Sequence, residues 1–172
     1  MRVITGTARG RRLKEPQGMD IRPTTDKVKE SMFSILQFDI EGRRVLDLFG
    51  GTGQLGIEAL SRGALEVVFV DKSAAALKLI RENLELCGLS DQARVRNGDS
   101  LAYLRSGEKF DLVFLDPPYD TGLLEQALQD IAGFDICREH GIIMRKVRQT
   151  PFCPPWRPLT AFIGSTATAG SS

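Results

Sequence analysis

The chain has 172 residues and a mass of 19.0 kDa, with 42% hydrophobic and 26% charged side chains. That is one domain's length with enough apolar content for a real core, which sets aside disordered and fibrous classes. Net charge is only +1, so no global field marks the whole chain as a nucleic-acid binder. Cys87, Cys137 and Cys153 lie far apart with no CxxC, and His140 is the sole histidine. Neither a disulfide framework nor a zinc site is supported, and no metal is expected. No stretch approaches the ~20 apolar residues of a membrane span, and Met1 is followed by polar and basic residues rather than by an apolar leader. A cytoplasmic protein with no membrane association is expected.

The first fourteen residues carry Arg2, Arg9, Arg11, Arg12 and Lys14 and no acid. Such a run is either a solvated arm or a phosphate-contacting patch. Helical period begins after 22-RPTTD-26, where Val28, Met32, Ile35 and Leu36 share a face and Thr24 or Thr25 can cap. The run 45-VLDLF-49, ending in glycines, reads as a buried strand, followed by a helix over 54–62 with Leu55, Ala59 and Leu60 on one side. Next come a strand at 67-VVFVD-71 and a long helix capped by Ser73, striped by Leu77, Ile80, Leu84 and Cys87, and stopped by Gly88. A strand around Val95 ends in 97-NGD-99, and a short helix spans Leu101 to Leu104. The strand 111-DLVFL-115, a helix through Leu123 to Ile131 and the strand 141-GIIM-144 complete the alternation.

Strands alternating with helices, each strand apolar on both faces, predict an α/β fold with a doubly wound, mostly parallel sheet. Ligands on such sheets bind beyond the carboxyl ends of the strands. Asp47, Asp71, Asp99 and Asp116 each end a predicted strand, so four acids are expected along one rim. From Met144 the chain has no acid, and prolines stand at 151, 154, 155 and 158. That segment reads as loop, since prolines disrupt a central strand.

The segment 47-DLFGGTGQLG-56 places Gly51, Gly53 and Gly56 in a G-x-G-x-x-G match between a strand and a helix. Asp71 lies 18 residues beyond Gly53, which suits a carboxylate on a ribose hydroxyl pair. An adenosine-type cofactor follows, with a nicotinamide dehydrogenase as one possibility. An acid at position 47 would repel a pyrophosphate but suits the ammonium of a methionine moiety, and Asp99 can accept from an adenine amine. S-adenosyl-L-methionine, cationic at sulfonium and ammonium, fits the acidic rim better than a diphosphate.

In 116-DPPY-119, Pro117 and Pro118 fix two φ angles and hold Asp116 extended. A carboxylate and a backbone carbonyl match the two hydrogens of an exocyclic amine, and Tyr119 offers a face for a planar base. Methyl transfer to a nucleobase amine, driven by orientation and electrostatics, is the chemistry this supports. The plain alternative is a strand-end turn with a packed tyrosine.

Four stretches, 4-ITGTARGRRLKEP-16, 21-IRPTTDKVKESMFSIL-36, 45-VLDLFGGTGQLGIEALSRGA-64 and 111-DLVFLDPPY-119, together resemble the RsmD-type family of 16S ribosomal RNA guanine-N2 methyltransferases, of class I Rossmann-like fold. The resemblance implies that Asp47, Phe49, Gly51 and Gly53 shape the cofactor loop, Asp71 holds the ribose and Asp99 the adenine. It implies that Asp116 and the Pro117 carbonyl grip the guanine amine, that Tyr119 stacks on the base, and that Thr24 and Thr25 approach the methionine end. Arg9, Arg11, Arg12 and Arg22 would contact RNA phosphates, and the partner would be ribosomal RNA or the small ribosomal subunit, met by a monomer. DNA amino-methylation and an inactive RNA-binding module of the same fold are the alternatives. A methyltransferase domain over 1–144, with a basic extension over about 1–40, is expected. Gly50 stands where similar proteins carry alanine or cysteine. Similar proteins also end in a strand pair with a Y-R-Y-G-like segment, where this chain has 164-GSTATAG-170. A shift of reading frame after about Met144 would account for that, leaving the last strand pair missing or altered.

Overall fold

The computed structural model describes residues 1–16, 26–118, 121–146 and 156–160, with Lys146 and the last five residues described by their backbone alone. A basic arm precedes α1 (Asp26–Ile35), and the alternation then runs β1 (Arg44–Asp47), α2 (Gln54–Ser61), β2 (Glu66–Asp71), α3 (Ala74–Cys87), β3 (Ala93–Asn97) and α4 (Ser100–Tyr103). It continues through β4 (Phe110–Leu115), α5 (Leu123–Gly133), β5 (Cys137–Lys146) and β6 (Trp156–Thr160). The strands form one sheet in the order β3-β2-β1-β4-β5-β6. β1 to β5 are parallel neighbours, and β6 joins β5 antiparallel.

Alternate strand residues enter opposite layers, which is why the strands read as unbroken apolar runs. Val45, Val67, Phe69, Leu112 and Phe114 pack under α1, α2 and α3. Leu46, Val68, Val70, Val113 and Leu115 pack with Ala127 and Ile131 of α5 on the other side. Ser73 caps α3 as expected, its Oγ accepting from the Ala76 N–H at 3.3 Å, and Gly88 ends it at φ 66°. α1 is turned one position from its expected face. Lys29, Met32 and Phe33 are buried with Leu36, while Ile35 is 51% exposed. The cause is Phe33, whose ring meets Phe114 at 5.8 Å and carries the Arg62 guanidinium at 4.7 Å.

Two expectations for the last third are corrected. β5 is longer than 141–144 because it bulges: Phe110 pairs with Cys137 but Leu112 with Ile142. Five residues thus advance against two, and His140 adopts φ 61° within the bulge. Residues 156–160, read as loop, form β6, with Pro158 opposite Met144. Proline is tolerated there because β6 is the sheet's edge, where an N–H can be missing without breaking a ladder on both sides. The segment 164–170, on which the altered ending rests, lies outside the described residues, as do Arg22, Thr24, Thr25 and Tyr119.

The arm is not a solvated tail. It doubles back on itself through an antiparallel bridge between Arg2 and Arg12 and buries Val3, Ala8 and Leu13. Fully buried Glu58 of α2 accepts the N–H groups of Ile4 (2.8 Å) and Thr5 (3.0 Å). Ser61 accepts from the Ala8 N–H at 2.9 Å and donates to the Thr5 carbonyl at 2.6 Å. The amide of Asn83, also fully buried, accepts from the Lys14 N–H at 2.7 Å and donates to the carbonyls of Lys14 and Thr52.

At the amino ends of the strands, opposite charges interlock. Arg44 donates to Glu66 at 2.6 Å and pairs with Glu108, while Arg94 reaches Glu108 at 2.7 Å and Glu66 at 3.4 Å. Burial alone would raise the Glu108 carboxyl, but hydrogen bonds from Arg94, Arg44 and Tyr103 outweigh it and hold the group down at about 2. Glu108 therefore stabilises the fold above the ordinary carboxylate range, and that contribution is lost as pH falls from about 4.5 toward 2. Glu108→Gln is expected to cost about 1.5–3 kcal/mol at pH 7, the usual loss for a charged hydrogen bond. In thermal unfolding, the gap between variant and parent should close as the pH approaches 2.

Candidate functional site

The strand order reverses between β1 and β4, because the loop after β1 leads to α2 on one face and the loop after β4 to α5 on the other. Doubly wound sheets open a crevice at that point. Along its rim the acids stand in the order Asp99, Asp71, Asp47, Asp116, following β3, β2, β1 and β4.

The loop after β1 is shaped by backbone bonds on both sides. Leu48 donates to the Phe114 carbonyl of β4 at 3.2 Å, and Gly50 donates to the Val70 carbonyl of β2 at 3.0 Å. Gly51 and Gly53 adopt φ 53° and 75°, conformations that side chains disfavour. At Gly56 a Cβ would lie 2.2 Å from the Phe69 ring, so α2 rests directly on β2. Phe49, half-buried, packs against the α5 layer.

Backbone N–H groups answer Asp47, Asp71 and Asp99. Asp47 is 2% exposed, and its Oδ2 accepts the Gly56 N–H at 3.1 Å. Asp71 accepts the Gly51 N–H at 2.9 Å through one oxygen and the Ser73 N–H at 2.8 Å through the other, locking the loop to the start of α3. Asp99, exposed, caps α4 by accepting the Ala102 N–H at 2.9 Å. Asp116 is half-buried, Pro117 buried and Pro118 exposed, with the Pro118 carbonyl accepting the Thr121 hydroxyl at 2.9 Å. No ion pair involving Asp47, Asp71 or Asp99 is present among the described residues, in contrast to the interlocked amino ends.

That imbalance is felt most at Asp47. Burial pushes its carboxyl up to about 8, and repulsion from Asp116 and Asp71 adds to the rise against the lowering effect of the Gly56 N–H. Gln54, the first residue of α2, contributes a polar atom the sequence reading missed. It is 8% exposed, and its Oε1 is buried without a hydrogen-bond partner among the described residues. A buried amide oxygen left so costs about 1–3 kcal/mol, which a ligand's N–H would offset. The signal in the sequence was a single amide side chain in the otherwise small and apolar run GTGQLG.

The expected arginine set divides in space. Arg9 faces a cleft between the arm and α1, whereas Arg11 lies close enough to Cys87 of α3 to act on its thiol. Arg12 is exposed at the bridge with Arg2. Lys29 and Glu58, both fully buried, were also missed. The Lys29 ammonium donates to the Arg2 carbonyl and pairs with Asp26 at 3.8 Å, and desolvation lowers its pKa.

The family described as "Conserved hypothetical protein 95" matches residues 1–157. The chain is 43% identical over 148 residues to "Putative rRNA methyltransferase YlbH" of Bacillus subtilis (strain 168), covering 84% of this chain and 80% of the relative. It is 42% identical over 132 residues to "Ribosomal RNA small subunit methyltransferase D" of Haemophilus influenzae, covering 74% and 68% of the two chains. Among solved structures, "Putative methyltransferase yhhF from Escherichia coli" superposes with a TM-score of 0.78 at 32% identity, over 86% of this chain and 80% of that one. No described helix is long and apolar enough to cross a membrane, and no group of residues suited to a metal ion occurs among the described residues. The match over most of the chain makes it a member of this family, and the resemblance to RsmD-type methyltransferases read from its motifs is thereby upheld.

Proposed function

We propose that the protein transfers a methyl group from S-adenosyl-L-methionine to the exocyclic N2 amine of a guanine in small-subunit ribosomal RNA. The observation that carries the reading is the buried carboxyl of Asp47, set near Asp116 and Asp71 without an ion pair among the described residues, on a sheet whose opposite end pairs Arg44 and Arg94 with Glu66 and Glu108. A site so built favours a ligand with positive charge, and the names of the relatives supply RNA as the acceptor. The cofactor's sulfonium supplies the activated methyl group.

The chain's own residues divide the remaining work. Asp71 keeps the glycine loop shaped while retaining lone pairs for a ribose hydroxyl pair, since each carboxylate oxygen can accept more than once. The second oxygen of Asp99 suits an adenine amine. Gln54 Oε1 suits an ammonium N–H. Phe49, Gly51 and Gly53 provide the close backbone surface. Asp116, with the carbonyl of Pro117, accepts the two hydrogens of the base amine and fixes its nitrogen in line with the methyl group. Tyr119 stacks on the base, Thr24 and Thr25 close over the methionine end, and Arg9, Arg11, Arg12 and Arg22 meet phosphates.

Incubation with labelled S-adenosyl-L-methionine and small subunits lacking the modification should place label in the RNA at a guanine amine. Label in DNA alone, or cofactor binding with no transfer to any acceptor, would defeat the reading. Asp116→Asn should cut transfer by about 10²–10³-fold, the scale for losing one transition-state contact. Cofactor affinity should change far less, because the proposed contact is to the base. Gln54→Leu should weaken cofactor binding by about tenfold, the equivalent of ~1.4 kcal/mol, without lowering the melting temperature.

Asp47 gives a prediction with two opposed signs. Its folded carboxyl is pushed up to about 8, above the 3.8 of an unburied aspartate, so it binds a proton on folding and costs stability increasingly as pH rises through that window. Asp47→Asn should therefore raise the melting temperature at pH 8 and above, with the gain vanishing below about pH 4. The same variant should lose cofactor affinity. In the parent, a bound cation lowers the Asp47 pKa, so affinity should climb as pH rises toward 8, by at most tenfold per unit. Calorimetry across pH 3.5–9 reads both effects.

A further inference from the structure

A second polar site lies away from the rim. A cleft of about 520 Å³ opens between the arm and α1, lined by Arg2, Thr5, Arg9, Glu30, Ser34 and Arg62 among others. Arg62 follows the last residue of α2, and Gly53 precedes its first. Eight helical residues at ~1.5 Å each set the cleft ~12 Å from the cofactor loop. No role assigned to the rim uses it.

Two of its arginines are held in place with donors to spare. Arg2 engages Asp26 through Nε at 3.0 Å, and Arg62 engages Glu58 through Nε at 2.9 Å while lying over the Phe33 ring. The terminal nitrogens of both are without a protein acceptor among the described residues, and Arg9 has no ion pair there. Planar guanidinium forks with spare N–H groups match the oxygens of a phosphate. The arm side of the cleft is fixed by the Glu58 bonds to Ile4 and Thr5, so little ordering is left to cost affinity when an anion binds. The volume is many times the ~30 Å³ share of a water, ample for a phosphate group.

We propose that this cleft is a phosphate-binding subsite for the RNA backbone, in which Arg2, Arg9 and Arg62 grip a phosphate remote from the methylated base. It rests on the RNA-methylating function proposed above and adds a location to it. An RNA strand is favoured over a free anion because exposed Arg12, bridged to Arg2 of the cleft, continues the basic surface along the arm. At ~3.4 Å per phosphate along a stacked strand, ~12 Å corresponds to about three or four nucleotides from the target.

Glu30 is the one acid among the described residues lining the cleft, and it makes the inference testable by gain as well as loss. Affinity for small subunits lacking the modification is measured as a function of salt, with cofactor affinity measured separately. Glu30→Lys should tighten RNA binding about five- to tenfold at low salt and steepen the salt dependence by about one phosphate contact. Ser34→Glu should weaken binding by a similar factor, as should Arg62→Lys, which keeps a cation for Glu58 but loses the fork. Glu139→Lys, on the exposed β5 bulge, should leave RNA affinity as in the parent, and none of the four should alter cofactor affinity. Unchanged RNA affinity in Glu30→Lys and Ser34→Glu, in a protein that methylates small subunits, would overturn the cleft alone. An equal gain in Glu139→Lys would also overturn it, by showing a diffuse charge effect. A parent protein that transfers no methyl to RNA would sink the functional reading, and the cleft's proposed occupant with it.

Discussion

Everything proposed for this molecule depends on how closely α2 lies on β2. A glycine at 56 is what permits it, because a Cβ there would sit 2.2 Å from the Phe69 ring. At that distance the Gly56 N–H reaches the Asp47 carboxylate, so the start of the helix is bonded to the end of β1. The far end of the same helix presents Glu58 and Ser61 to the backbone of the arm. One eight-residue helix thus carries the glycine loop at its amino end and the basic arm near its carboxyl end. All eight of its residues are buried, so it has no solvent face along which to shift. Rigid elements hold polar groups more accurately than loops do, and both candidate binding regions hang from this one.

The two ends of the sheet treat charge in opposite ways. At the amino ends, Arg44 and Arg94 pair with Glu66 and Glu108, and Asp111 accepts the Arg44 N–H at 2.8 Å and pairs with Arg138 at 3.2 Å. At the carboxyl ends, acids converge with only backbone N–H groups to answer Asp47, Asp71 and Asp99 among the described residues. Strand direction explains why this is tolerable. Loops after parallel strands lead into helix starts, and those supply unsatisfied N–H groups that stabilise negative charge. The N–H of Ser73, just before α3, and that of Ala102 near the start of α4 are used in this way. Backbone dipoles stabilise the acids enough for folding but do not neutralise them, and the excess is what a cationic ligand can use. Under the proposed function, stability and cofactor binding are in tension at Asp47 for that reason.

Much of this was legible in the sequence because strand ends are marked by chemistry. Unbroken apolar runs such as 67-VVFVD-71, each closed by an acid, gave the strands, the layers and the rim together. Caps such as Ser73 and Gly88 were local, and local signals transfer well. What was illegible depended on contacts between distant segments. The face of α1 turned because Phe33 found Phe114, some eighty residues on, and a helical period alone cannot choose between neighbouring stripes. Glu58 gave no signal in the sequence, since its partners Ile4 and Thr5 reach it only once the arm has folded. The basic arm was ambiguous for the same reason: its arginines were visible, but Val3, Ala8 and Leu13 were too sparse to show a buried edge. β6 was hidden by Pro158, whose effect depends on whether the strand lies at an edge.

The polar bonds that fix the arm bear on how an RNA would be handled. Asn83 can sit only one way round, because the Lys14 N–H must meet its oxygen while the carbonyls of Lys14 and Thr52 must meet its nitrogen. Its nitrogen therefore spans the arm and the glycine loop in a single buried amide. With Glu58 and Ser61 holding the other end, the arm moves with the core and not as a tether. A tethered basic tail would add affinity without registering a base, since its ordering would be opposed by entropy at each encounter. An arm ordered during folding has already met that cost. A phosphate seated on it then bears a fixed spatial relation to Asp116, and binding energy gained far from the methyl group can serve orientation at it.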